Sequence, residues 1–284
     1  MYSLPLFFPE VAMPEVPEIA SRARELNIAL AGKTISAVEI LQPKCLNVSI
    51  EEFTAGLTGA VIENAAYHGK WIQVHTTQGW LLVNLGMGGE ILLVTRATMP
   101  EKHTIVFEFS DASCLSISFW WFGHVHYVPE EGLQAHAPTA KLGPNVLDLS
   151  VEDFRRIVAG QRTAVKNYLL DQSRIAGIGN AYIHDILFMA RIHPLRRLES
   201  LSPAEVDGLY QAIQDGLRPS LAKNGAFYEK DIYGQKGGFG MDEIQIGYRE
   251  NQPCPRCQTP IIKIKTGSTS SFICPSCQAF PAVV

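Results

Sequence analysis

Apolar residues recur along this chain with two different periods, and the change of period divides it. Behind Met13-Pro14-Glu15-Val16-Pro17-Glu18, the positions Ile19, Ala23, Leu26 and Leu30 fall on one face at helical spacing. Pro17 presets a first helical turn, and Glu15 and Glu18 complement its dipole, so a helix is predicted there. From about Gly32 to Val128 the pattern shortens to β-rich runs broken by turn residues: Ala60 to Asn64, Trp71 to His75, Trp80 to Asn84, Glu90 to Val94, Thr104 to Phe109 and Ser113 to Phe119. This spacing predicts a sandwich or barrel of antiparallel strands with the first helix packed on it. A Gly-Pro-Asn turn within Leu142 to Leu149 marks a boundary, after which helical signals return. Ser150 with Asp153, and more strongly Ser202-Pro203-Ala204-Glu205, have the form of a capping box, the second helix continuing through Leu209, Ile213 and Leu217. Another helix is predicted over Ala181 to Ala190. The glycine-rich stretch Asn224 to Asp242 is too long for a simple connector and is expected to be mobile.

Three stretches break these periods in ways that bear on chemistry. Asn84-Leu85-Gly86-Met87-Gly88-Gly89 is a glycine-rich tip displaying a methionine, and Phe119-Trp120-Trp121-Phe122-Gly123 sets four aromatics in a row. Alternation sends two of those four outward, where they can wedge into a stack of bases; burial of all four in the core is the equally weighted alternative. In Arg174-Ile175-Ala176-Gly177-Ile178-Gly179-Asn180, Gly177 and Gly179 precede a helix whose uncovered N–H groups can hold a phosphate, although a tight helix–helix turn has the same pattern.

Composition narrows the function classes. With 284 residues, 46% hydrophobic and 18% charged, the chain has length for two globular units and is too evenly polar for a membrane span. The opening twelve residues lack a basic region and fail as a secretory signal, so they are expected to be an extension: a tag, an upstream start or a disordered tail. Residues 1–154 carry 8 Lys and Arg against 17 Asp and Glu, whereas residues 155–284 carry 16 against 11, which makes the second half the better partner for a polyanion.

The most specific spacing lies at the C-terminus. Cys254-Pro-Arg-Cys257 and Cys274-Pro-Ser-Cys277 are separated by 16 residues that read as strand, turn and strand. Such a hairpin closes a tetrahedral four-thiolate site for one zinc ion with no open coordination position, hence a structural metal. Disulfides fit poorly without a secretory signal, and Cys45 and Cys114 read as buried free thiols. At the other end, Pro14 admits two readings. As the first residue of a chain its ring nitrogen would be a nucleophilic secondary amine able to form an iminium with a sugar carbon; inside a peptide bond it attacks nothing. The plainer reading is the start of a helix.

Met-Pro-Glu-x-Pro-Glu, the Gly-Lys of His68-Gly69-Lys70, Leu-Gly-Met-x-Gly, Gly-x-Gly-Asn and the four-cysteine hairpin occur in one order from Met13 to about Gln278. In this order the chain resembles the formamidopyrimidine-DNA glycosylase / endonuclease VIII family. The resemblance implies an α+β chain: an N-terminal β-sandwich with packed helices (13–142), a helical helix-two-turn-helix domain (143–242) and a zinc finger (243–284). It implies removal of oxidised bases from double-stranded DNA followed by strand cleavage at the abasic site, by an intracellular, cytoplasmic monomer with no membrane partner. Residue by residue, Pro14 takes the place of the nucleophile, Glu15 that of the general acid and Lys70 that of the lysine at the lesion's phosphate. Asn180, with Gly177 and Gly179, takes the place of the phosphate-binding turn. Met87, Trp120 and Phe122 stand where the gap left by an extruded base is filled, and Lys166 is placed with the DNA-contacting residues.

Two departures accompany the match. Trp120-Trp121-Phe122-Gly123 stands where the family usually has Arg-Arg-Phe-Gly, and Thr269 occupies the position of the finger's arginine. Missing guanidiniums weaken binding and lessen its salt dependence. Two further readings therefore stand beside an active enzyme: a catalytically impaired relative that binds damaged or bent DNA, and a zinc-ribbon module for RNA or protein.

Overall fold

Strong β-formers between Gly32 and Val128 sort onto two sheets that share one core. The computed structural model describes residues 13–280, so the expected extension over residues 1–12 lies outside the described residues. Helix α1 (Val16–Leu30) begins as predicted, with Pro17 in its first turn and the Glu15 N–H donating to Glu18 Oε2 at 3.0 Å. Its stripe of Ile19, Ala23, Leu26 and Leu30 is almost wholly buried. One sheet has the order β1 (Ile35–Ile40), β6 (Ile105–Phe109), β7 (Ser113–Ser118), β5 (Glu90–Thr95). The other has the order β2 (Ile62–His68), β3 (Trp71–Thr76), β4 (Gly79–Asn84), β8 (His124–Val128), and every pairing in both is antiparallel. Ile91, Phe107 and Leu115 of the first sheet meet Ile72, Leu81 and Val125 of the second in a single cluster that also takes in α1 and α2 (Ile50–Leu57). The outer face of the second sheet carries Trp71, Leu82 and Val128 in a smaller cluster with Leu133 and Leu142, which flank helix α3 (Ala137–Ala140).

Three departures from the predicted elements have local causes. Strand β1 and helix α2 were not expected: β1 is half-exposed along most of its length and shows no clean alternation, and α2 is only eight residues long. The row of aromatics is no strand. It turns after Ser118, so three of the four rings point outward instead of two. The stretch expected to be mobile is instead held in place. Asp231 Oδ1 accepts the N–H groups of Tyr233 and Gln235 at 2.9 and 2.7 Å, and Gly237 N–H donates to Glu229 O at 3.0 Å. From α1, Glu18 accepts Ala226 N–H at 3.0 Å, Arg22 donates to Lys230 O, and Glu25 accepts Ile232 N–H at 3.1 Å. Ile232, fully buried, joins the sandwich core. Residues 13–142 and 220–239 accordingly form one compact unit.

The other compact unit comprises residues 143–219 and 240–280, with α4 (Val151–Val158), α5 (Val165–Leu170), α6 (Ile183–Met189) and the hairpin β9 (Ile262–Thr266) and β10 (Thr269–Ile273). Helix α7 (Pro203–Ala222) belongs to it up to Pro219. The predicted caps form: Ser150 Oγ accepts Asp153 N–H at 3.1 Å, and Ser202 N–H donates to Glu205 Oε2 at 2.8 Å. Helical and finger segments share a core, in which Phe188 of α6 packs with Ile246, Cys254, Ile261, Phe272 and Cys274. Asp185, also from α6, accepts the N–H groups of Gln245, Ile246 and Gly247 at 2.7 to 2.9 Å. Among the described residues no helix is long and apolar enough to cross a membrane.

Candidate active site and metal centre

The N-terminal unit brings three loops together at one end of its second sheet. The β2–β3 connection is the two-residue turn Gly69-Lys70, with Gly69 at φ +56°, the left-handed first position that this kind of hairpin assigns to glycine. Next to it, β4 ends at Asn84, whose amide serves two loops. Its Nδ2 donates to Lys70 O at 3.0 Å, and its Oδ1 accepts Gly86 N–H at 3.0 Å. The glycine-rich tip in turn pairs with the aromatic loop: Met87 N–H donates to Trp121 O at 2.9 Å and Trp120 N–H to Met87 O at 3.0 Å. A Cβ at Gly86 would lie 2.3 Å from Trp121 O, so only glycine permits this approach. Lys70, Met87, Trp120 and Phe122 are thus gathered at one end. Trp120, Trp121 and Phe122 are 65 to 70% exposed, and no acceptor among the described residues engages the Lys70 ammonium.

Pro14 and Glu15 stand at the head of α1, both buried, Glu15 with 2% exposure. The sequence pattern did not point to Glu229 in the same unit. Burial pushes its carboxyl up to about 8, with the charges of Glu18, Glu90 and Glu15 adding to the shift and Arg22 opposing it. Its neutral form is therefore favoured relative to that of an ordinary glutamate. Asn84 was likewise read only as the start of a tip. Its cue was weak: an amide at a strand end can satisfy the backbone of two neighbouring turns at once.

In the other unit the turn expected to hold a phosphate is ordered by Gln172, a residue that no sequence motif singled out. Its Oε1 accepts Gly177 N–H at 2.9 Å, and its Nε2 donates to Leu170 O at 3.0 Å and Ile178 O at 2.8 Å. The Gly177 N–H is thereby used within the turn. Asn180 Oδ1, by contrast, is a buried acceptor with no hydrogen-bond partner among the described residues. Helix α6 starts at Ile183, two residues later than expected. Lys166 requires a correction. It is fully buried, and its ammonium donates to Thr266 Oγ1 (3.1 Å), Thr269 Oγ1 (3.0 Å), Ser270 O (2.6 Å) and Ser271 Oγ (2.9 Å). A charge with four protein acceptors ties α5 to the finger hairpin and presents nothing to a nucleic acid. Thr269, at the position expected of an arginine, is one of those acceptors.

Cys254, Cys257, Cys274 and Cys277 place their sulfurs within 4.8 Å of one another, with the closest pairs at 3.4 to 3.9 Å. Tetrahedral zinc with Zn–S bonds of about 2.3 Å needs sulfurs about 3.8 Å apart, so the four thiols fit one structural zinc ion. Burial and the neighbouring thiols push Cys277 up to about 12, a cost that a divalent cation reverses. Cys45 and Cys114 are buried free thiols, as expected.

Family profiles match in collinear order. They are the formamidopyrimidine-DNA glycosylase N-terminal domain over residues 13–119, the H2TH domain of the same glycosylase over 142–230, and the zinc finger found in FPG and IleRS over 251–279. A formamidopyrimidine-DNA glycosylase of Pelotomaculum thermopropionicum is 34% identical over 274 residues, covering 94% of this chain and 99% of the relative. The chain belongs to the formamidopyrimidine-DNA glycosylase family. A glycosylase of the same name from Chloroflexus aurantiacus is 32% identical with 94% and 98% coverage. Among solved structures, the Lactococcus lactis Fpg in complex with DNA containing an abasic site matches with a TM-score of 0.86, at 26% identity, over 94% of this chain and all of that one. The same protein bound to an N7-benzyl-Fapy-dG DNA matches equally well. The formamidopyrimidine-DNA glycosylase fold, β-sheets followed by a helical domain and a four-cysteine finger, is the fold of this chain.

Proposed function

We propose that the chain is a bifunctional DNA glycosylase and AP lyase of base excision repair, acting inside the cell as a monomer on double-stranded DNA with an oxidised base or abasic site. Its relatives bear the name of that activity, and solved neighbours hold abasic or Fapy-containing DNA. The observation that carries the reading to residues is the pair Pro14-Glu15, buried at the head of α1, where the family match begins at Met13. In this reading the active chain starts at Pro14. Its amine lone pair bonds to C1′ of the extruded nucleotide while the glycosidic bond breaks and its electron pair leaves with the base. Glu15 hands a proton to the ring oxygen as the sugar opens, the nitrogen loses its own proton, and an iminium results. That iminium acidifies C2′, so β- and then δ-elimination expel the two phosphates. Lys70 and Asn180 hold those phosphates without reading sequence. Met87, Trp120 and Phe122 fill the gap. Residues 13–142 carry the chemistry, residues 143–242 the helix-two-turn-helix, and residues 243–284 the finger.

Borohydride trapping on abasic DNA tests this. A chain beginning at Pro14 is expected to be trapped by reduction of the iminium, and Glu15→Gln to bind while losing base removal. The chain with Met1 to Ala12 in place is expected to bind without being trapped, the behaviour of an idle relative, because its Pro14 nitrogen is an amide. Trapping of neither form would overturn the proposal. Equal trapping of both would move the nucleophile to a lysine, Lys70 first.

A further inference from the structure

The aromatic loop is unusual in what it lacks. Between Phe119 and Gly123, and across the partner tip from Leu85 to Gly89, the sequence places no charged side chain; its only polar side-chain groups are the two indole N–H donors of Trp120 and Trp121. Both loops are held stiffly. Two backbone hydrogen bonds join them, the Phe119 ring turns inward onto the core, and Gly123 leaves room for it, since a Cβ there would lie 2.1 Å from that ring. Phe122 sits at φ +56°, a left-handed conformation that a bulky residue adopts only when its surroundings hold it. A rigid mount carrying three consecutive rings, each at least 65% exposed, is built to put aromatic faces against a partner. Under the proposed function that partner is the base left without its mate, and the role given to these rings rests on that reading.

Telling one base from another takes paired donors and acceptors on its edge, and each indole brings a single N–H, which every base can meet with some acceptor. Stacking is available from all four, because every base has a π-face. We propose that this chain acts on its lesion with little regard to the base opposite, Trp120 and its neighbours filling the gap by stacking and reading no identity in it.

The test is binding of the Pro14-initiated chain to duplexes holding a tetrahydrofuran abasic analogue opposite dC, dT, dG or dA, with undamaged duplex as control. The four dissociation constants are expected to agree within about threefold, and a spread above about tenfold overturns the inference. Trp120→Ala is expected to weaken all four to a similar degree, about tenfold, and to leave undamaged duplex unchanged. Trp120→Phe keeps a stacking face and should retain the flat profile. Equal losses on damaged and undamaged duplex would assign Trp120 a structural role and also overturn the inference. Absence of any preference for abasic over undamaged duplex in the wild-type chain would remove the proposed function itself, which separates the two failures.

Discussion

The zinc finger and the loop end of the second sheet are both small, turn-rich and built on hairpins, yet they treat polar and apolar groups in opposite ways. In the finger the groups are turned inward: four thiols face one another, Lys166 meets four oxygens, and Arg256 lies 4.3 Å over the Phe188 ring and donates to Phe188 O at 2.7 Å. At the sheet end the backbone is satisfied by Asn84 and by the bridge to Met87, while no acceptor among the described residues engages the half-buried Lys70 ammonium and three aromatic rings are exposed. Internal satisfaction marks a part whose task is to hold its shape. A stiff frame with unsatisfied side chains marks a part awaiting a partner.

The largest effect that bears on this contrast concerns the metal. Cys274→Ser is expected to lose the zinc equivalent and the ordered hairpin together, since structural zinc in small fingers supplies on the order of 10 kcal/mol. Metal analysis with amide exchange of β9 and β10 reads it; a finger that stayed folded without zinc would break the contrast.

The two lysines sharpen it. Lys166→Met leaves buried oxygens without their donor, for an expected loss of about 3 kcal/mol in urea unfolding, with no change in the salt dependence of DNA binding. Lys70→Met should do the reverse, leaving stability within about 0.5 kcal/mol and lowering the salt slope by about one unit. An exchanged pair of results would reverse the roles given to them.

A smaller effect comes from His126 on the outer face of the sandwich. Its Nδ1 lies 2.8 Å from His136 Nε2, and burial, with the charges of His136 and His124 adding to it, holds the ring down at about 4. The unfolded chain takes up this proton near the ordinary value of about 6.5, so the stabilisation is complete above that pH and fades as pH falls toward 4. Between pH 7 and 4.5 the N-terminal unit should lose about 2 kcal/mol from this group, a loss absent in His126→Asn once compared at both pH values by urea midpoints.

Local periodicity was enough for α1, most strands and the capped helices, because each is written within a few neighbouring residues. The finger was legible for the same reason: its ligand spacing is a property of two short stretches. What escaped depends on distant partners. Lys166 was placed with the DNA-contacting residues by the resemblance, and only the fold shows oxygens from 100 to 105 residues away surrounding its ammonium. The stretch from Asn224 to Asp242 read as mobile because its own residues are glycine-rich and polar. Glu18, Arg22 and Glu25, some 200 residues upstream, fix it. Gln172 and Asn84 were missed because a side-chain amide that satisfies several backbone groups leaves no periodic mark.

Asn84 also sets how force travels at the sheet end. One planar amide holds the Lys70 turn by its nitrogen and the Met87 tip by its oxygen, and it cannot rotate to keep one bond without swinging the other. A push on the tip is therefore felt at the lysine within the span of a single side chain. Under the proposed function, a tip that meets the helix and a lysine that meets its backbone would move together, like two jaws on one pivot.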